Sequence, residues 1–195
     1  MRYDDLAAVG VLGVLAEQGP ETLGGVRETL KHNFARYWGF SSGVLSPTIR
    51  ELEEAGHVEA SVREDEDAAA DLDAEEYVYS ITDGGYEHLR DLIREGLRDR
   101  DSFDVSQRSQ VMVRLGFLHH LPEREQAAAL SAIADGLRAE REKWEEVRRA
   151  HRESEREGAG YRGELTRLNV RMIDTFIEWI EGLDIRTFDE PATAE

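Results

Sequence analysis

Between Glu21 and Arg50 the sequence gathers side chains suited to holding a polyanion: Arg27, Lys31, His32 and Arg36, then Ser41, Ser42, Ser46, Thr48 and Arg50. Guanidinium and ammonium groups take phosphate oxygens, an arginine fork takes a guanine edge, and small hydroxyls reach bases or phosphates. The four lysines and arginines of this stretch stand against two carboxylates, Glu21 and Glu28, a surplus of two in a chain of net charge −18. Duller readings stand beside this one: either serine can be a helix cap, and Arg36 and Arg50 can be solvated surface. Catalysis finds less support. There is no cysteine, so no thiol nucleophile, disulfide or thiolate metal site, and no Walker-type phosphate loop. His119 and His120 are adjacent, which on a helix sends their side chains about 100° apart, and no third ligand lies at useful spacing along the chain. The acidic run at 64–73 lacks the glycine and terminal glutamate of an EF-hand and reads as a solvated loop. Neither cofactor nor metal is expected.

The elements that must carry these residues follow from periodicity. Leu6, Val9, Leu12, Val14 and Leu15 have helical spacing, and Gly19-Pro20 ends that helix. A second helix runs from Thr22, its candidate cap, to about Tyr37, with Leu23, Val26, Leu30 and Phe34 inward. A third starts at Ser41 or Ser42, holds Pro47 near its beginning, buries Val44, Leu45, Ile49 and Leu52, and stops at Ala55-Gly56. Two alternating runs, His57 to Val62 and Glu76 to Ile81, flank an acidic tip and make a β-hairpin. Thr82-Asp83-Gly84-Gly85 then begins a helix to about Leu97. Helix, helix, turn, helix, hairpin, helix is the order of a winged helix-turn-helix.

The second half shows no strand. Val111 to Leu118 lie in a helix ending at Leu121-Pro122. Glu123 to Glu157 reads as one long helix with Leu130, Ile133, Leu137, Trp144 and Val147 at coiled-coil-like spacing. After Gly158-Ala159-Gly160 a last helix carries Tyr161, Leu165, Leu168, Met172, Phe176, Trp179 and Leu183 at steps of four and three. Such stripes on long rods call for a partner subunit, and closed two-fold dimers are the commonest solution. The fold class is therefore mainly α with a small β-hairpin wing: residues 1–98 a DNA-binding domain, 104–185 an antiparallel helical dimerisation domain, and 186–195 a disordered tail. No apolar run reaches the roughly 18–20 residues of a membrane span. Leu6 to Leu15 follows Asp4 and Asp5 instead of a basic region, which excludes a signal peptide, so the chain reads as cytoplasmic without a membrane partner. Only two lysines against 42 acidic residues also resembles the usage of proteins from salt-loving organisms.

Ser41-Ser-Gly-Val-Leu-Ser-Pro-Thr-Ile-Arg-Glu-Leu-Glu-Glu-Ala-Gly-His-Val-Glu59 and Tyr77-Val-Tyr-Ser-Ile-Thr-Asp-Gly-Gly85 resemble the PadR family of transcriptional regulators. Its pattern is matched at Gly43, Leu45, Pro47, Leu52, Glu53, Gly56, Val58, Thr82 and Gly85. Phe117-Leu118-His-His-Leu121-Pro122 and Trp179 resemble its longer subfamily. The resemblance implies a homodimeric repressor on a pseudo-palindromic operator in double-stranded DNA, with a small aromatic or drug-like effector near the dimer interface, where Trp144, Phe176 and Trp179 are candidates. It departs from the family at Ser46, where a tyrosine is usual, at Leu23-Gly24-Gly25, and in the wing. Residues 61–76 hold Arg63 against eight acids, leaving Arg63 at the wing's base as the one minor-groove candidate. The alternative is a winged-helix protein-interaction module that has lost DNA binding.

Overall fold

The computed structural model describes residues 3–34, 42–62, 77–97, 108–153 and 158–183. They fall into two compact units, residues 1–96 with 109–120, and residues 97–108 with 121–195. No helix among the described residues is long and apolar enough to cross a membrane. The expected disordered tail at 186–195 lies outside the described residues.

The first unit runs α1 (Tyr3–Gln18), β1 (Glu21–Thr22), α2 (Leu23–Phe34), α3 (Ser42–Glu54), β2 (Val58–Val62), β3 (Tyr77–Ile81), α4 (Asp83–Leu97) and α5 (Arg108–Gly116), closing with a 3-10 turn at Leu118–His120. This is the winged helix-turn-helix order. The periodicity of α1 suggests one apolar stripe, but every residue from Leu6 to Leu15 is buried. α1 is a central helix, packed on α2, α3 and β3. A helix apolar all round is stable only when wrapped on all sides.

The sheet has three antiparallel strands in the order β1-β3-β2. β1 does not follow from the sequence pattern: Glu21 and Thr22 pair with Tyr79 and Val78, and two residues are too few to show alternation. In the hairpin, Val58 faces Ile81 and Val62 faces Tyr77.

Sequence spacing assigns residues from 104 onward to the C-terminal region, yet residues 109–120 pack with the first unit. Two glycines explain the docking. The bare Cα of Gly13 on α1 receives the Phe117 ring, and that of Gly96 on α4 receives the Arg114 side chain. Phe117 also meets Phe34, ring centroids 5.4 Å apart. Arg114 is 1% exposed; its Nε donates to the Leu92 carbonyl (3.2 Å) and an Nη to that of Gln110 (3.0 Å). A buried charge persists only with such partners. The expected helix through Leu118 breaks at Gly116 into the 3-10 turn, which sets His119 and His120 against Glu17, a neighbour that spacing along the chain does not offer.

The second unit is an antiparallel pair, α6 (Glu123–Arg152) and α7 (Ala159–Glu181). Register is marked by ion pairs Arg138–Glu181 and Arg141–Asp174 and by a contact of His151 Nδ1 with Thr166 Oγ1 at 3.2 Å. The buried seam is Leu130, Ile133, Ala134 and Leu137 on α6 with Val170, Ile173, Ile177 and Ile180 on α7. This corrects the expected assignment of Leu130, Ile133 and Leu137 to a dimer surface: their own chain buries them.

Gly13→Ala should lower stability by about 1–3 kcal/mol, because the methyl group meets the Phe117 ring and a packed core cannot absorb it. Chemical denaturation measures this. The double variant with Phe117→Leu should be less destabilised than the sum of the singles, since both changes act on one contact.

Candidate nucleic-acid interface

α2 is started by its own side chains. Thr22 Oγ1 accepts from Gly25 N at 3.1 Å, the expected cap, while Glu21 Oε1 accepts from Thr22 N at 2.7 Å. Val26, Leu30 and Phe34 point inward, which leaves Arg27, Lys31 and His32 exposed. Glu28 lies between the first two, 3.4 Å from Arg27 and 3.5 Å from Lys31. Exposed pairs of this kind are weak, and a phosphate can displace them. Arg36 lies outside the described residues.

α3 begins at Ser42 and keeps Pro47 in its interior. Leu45, Ile49 and Leu52 are buried, which turns Gly43, Pro47, Arg50, Glu51, Glu53 and Glu54 outward, with Ser46 half-exposed. The outward face is thus divided along its length. From Gly43 to Arg50 it holds no carboxylate and ends in one guanidinium; the last turn carries three glutamates. Arg50 makes no ion pair among the described residues. Thr48 does not join this face. It is 5% exposed, and its hydroxyl donates to the Val44 carbonyl at 2.8 Å, back-bonding within its own helix. The expectation that Thr48 reaches a base is corrected on that ground. Ser41 lies outside the described residues, as do Arg63 and the acidic wing tip.

The end of α3 is fixed to the wing by an interlocked turn. Gly56 takes φ +76°, a conformation that suits glycine. Gly56 N donates to Glu53 O (2.9 Å) and His57 N to Leu52 O (2.8 Å), the pattern of a Schellman motif. Thr82 then serves both sides: its hydroxyl donates to Gly56 O (2.8 Å) and accepts from Gly85 N at the start of α4 (3.0 Å). Gly85 packs against the His57 carbonyl, where a Cβ would collide. Gly56, Thr82 and Gly85 thus form one joint that sets the angle between α3 and the hairpin. Beside it the His57 and His88 rings stack with centroids 4.2 Å apart, and burial, then His57, hold the His88 imidazole below its usual range.

One serine pattern stands apart. Gly39-Phe40-Ser41-Ser42-Gly43 has the Gly-x-Ser-x-Gly spacing of a nucleophile elbow, but an elbow joins a strand to a helix over an α/β-hydrolase sheet. Here the preceding element is α2, and the sheet among the described residues is the small antiparallel one.

In the second unit, α7 carries a second apolar stripe, turned about 120° from its buried seam at 100° per residue. Tyr161, Leu165 and Leu168 are 85%, 62% and 53% exposed, and Trp179 is exposed as well. Met172 and Phe176 are half-buried, and Phe176 stacks on Trp179 at 5.5 Å. On α6, Trp144 is half-buried and Val147 exposed. The stripe of threes and fours read in α7 is this outer face, whereas Val170, Ile173, Ile177 and Ile180, which its hairpin buries, do not stand out in the sequence as a separate set.

Neither the protein-family models nor the curated proteins match this chain. Among solved structures it is similar to Bacillus subtilis PadR in complex with operator DNA, at 15% identity and a TM-score of 0.41 over 89% of this chain and 94% of that one. It is also similar to smu.1604c from Streptococcus mutans UA159, at 16% identity and a TM-score of 0.40 over 93% and 97%.

Thr82→Ala removes both the α4 cap and the link to Gly56. The loss should be about 0.5–2 kcal/mol, read as a shifted denaturation midpoint, and Thr82→Ser should recover most of it.

Proposed function

We propose that this protein is a PadR-like, DNA-binding transcriptional regulator that acts as a homodimer, and not an enzyme. The observation that carries the reading is the outward face of α3 from Gly43 to Arg50, free of carboxylate in a chain of net charge −18. In a winged helix-turn-helix, that half of that helix enters the major groove. Arg50 takes a guanine edge, Ser42 and Ser46 reach bases or phosphates, and Arg27, Lys31, His32 and Arg36 hold the backbone. The glutamates of the last turn of α3 favour an entry by the helix N-terminus, since a flat approach would press them onto phosphate.

The two-fold partner is supported by the outer stripe of α7. Leu165 and Leu168 stand open to water on a face that continues through Met172, Phe176 and Trp179. Covering it with a second copy removes the exposure symmetrically. Repression, a pseudo-palindromic operator, release by a small aromatic effector and a cytoplasmic setting rest on the sequence resemblance. The second reading, a protein-interaction module, draws on Glu51, Glu53 and Glu54, exposed on the same helix as Arg50.

DNA binding is tested by anisotropy with duplexes from the protein's own promoter region, across a range of salt. Arg50→Ala should weaken specific binding by about 1–3 kcal/mol and relax preference at one base position. Lys31→Ala should weaken all sequences alike and make the logarithmic salt slope shallower by about 0.9 for the one phosphate it no longer neutralises. Thr48→Val should leave affinity within about twofold, as expected for a hydroxyl that touches no DNA. Unaltered promoter occupancy in cells carrying the Arg50 and Lys31 variants would favour the interaction module.

Dimerisation has its own measurement. Leu165→Glu with Leu168→Glu places carboxylates on the outer stripe and leaves the hairpin seam intact. Light scattering should report a monomer with unchanged helicity, and operator affinity should fall by at least about tenfold, since each chain then holds a single half-site without its tethered twin.

A further inference from the structure

At the end of α1, three metal-ligating side chains from distant parts of the sequence meet. Glu17 Oε1 lies 3.3 Å from His119 Nε2 and 3.9 Å from His120 Nε2, and one donor atom from each residue falls within 4.8 Å of the others. The 3-10 turn makes this arrangement. It brings the two imidazoles to a centroid separation of 4.2 Å, where α-helical neighbours diverge. The turn is held from behind: Arg90 Nε donates to the His120 carbonyl at 3.2 Å, and the Phe117 ring stacks on the His120 ring. His120 Nε2 is buried without a hydrogen-bond partner. A buried polar atom left so costs about 1–3 kcal/mol, and this one points towards the Glu17 carboxylate.

We propose that Glu17, His119 and His120 form a binding site for a divalent transition-metal ion of the zinc class, held by one carboxylate oxygen and two imidazole nitrogens. Two nitrogens and one oxygen suit zinc and its neighbours, whereas calcium and magnesium require oxygen shells. Donors about 2.0–2.1 Å from a tetrahedral ion stand about 3.4 Å apart, close to the 3.3 Å and 3.9 Å seen here. His119 is exposed and free to close the remaining gap. A cation between these groups satisfies the orphaned His120 nitrogen and the Glu17 carboxylate together. Arg90, which holds the His120 carbonyl, is itself paired with Glu87 at 2.6 Å. The fourth position is left to water or an incoming ligand. The bound ion joins the central helix to the turn that closes the first unit.

The test uses the full chain without an affinity tag, stripped with chelator and titrated with Zn²⁺ by calorimetry and with Co²⁺ by visible absorption. The expected result is one ion per chain, a tetrahedral Co²⁺ spectrum, and a melting temperature that climbs with free Zn²⁺. Glu17→Gln and His119→Asn, both at solvent-accessible positions, should each weaken binding at least about tenfold, whereas His151→Gln, in the second unit, should leave it unchanged. Saturation absent up to about 100 μM Zn²⁺, or equal affinity in the Glu17 and His119 variants, overturns the proposal. Loss of DNA binding has no bearing on this readout, so the site and the regulatory reading fail separately.

Discussion

The first unit depends on keeping α1 out of water. From Leu6 to Leu15 no residue of this helix is available to solvent, so its neighbours are arranged as a sheath. α2 and α3 cover it with their apolar stripes, β3 crosses it, and Phe117 fills the notch at Gly13. The outward faces of α2 and α3 are what remains once their inward faces are committed to α1. The surface proposed to face DNA is set by a buried helix behind it. Glu17 lies in the last turn of the same helix, so the proposed metal ion would sit at its end.

Much of this was legible in the sequence, and the failures have physical causes. The order of helices and hairpin followed from periodicity, and the motif residues Gly56, Thr82 and Gly85 have local reasons, a left-handed turn, a cap and a close approach. Arg27, Lys31, His32 and Arg50 are exposed as their spacing required. Thr48 escapes a sequence reading because alternation of polar types on a helix does not separate an outward hydroxyl from one bonded back to Val44. α7 carries two apolar stripes, and the more regular in sequence is the one its own chain leaves uncovered. Glu17 beside His119 and His120 is a tertiary contact between residues about a hundred positions apart, and no window of sequence contains it.

The charge distribution gives the interface its character. A chain with 42 acidic and 24 basic residues repels nucleic acid at long range, so the proposed binding would have to come from a small face at short range. Such a footprint yields little non-specific affinity, because that affinity is almost wholly phosphate neutralisation. In the proposed reading, discrimination rests on the few groups at the start of α3. Added salt weakens the cationic contacts and the surrounding repulsion together.

The core of the first unit is not contiguous in the chain. Its last pieces, Val111, Val113, Arg114 and Phe117, arrive after α4. On the ribosome, at about 5–20 residues per second, α1 waits for a further hundred residues before its final cover emerges. Until then Gly13 is an open socket in an otherwise greasy helix. A gene fragment cut after α4, the natural place to divide the protein by motif alone, would express that nascent state permanently and leave it prone to self-association. Any excised fragment meant to hold the first unit should therefore extend through His120.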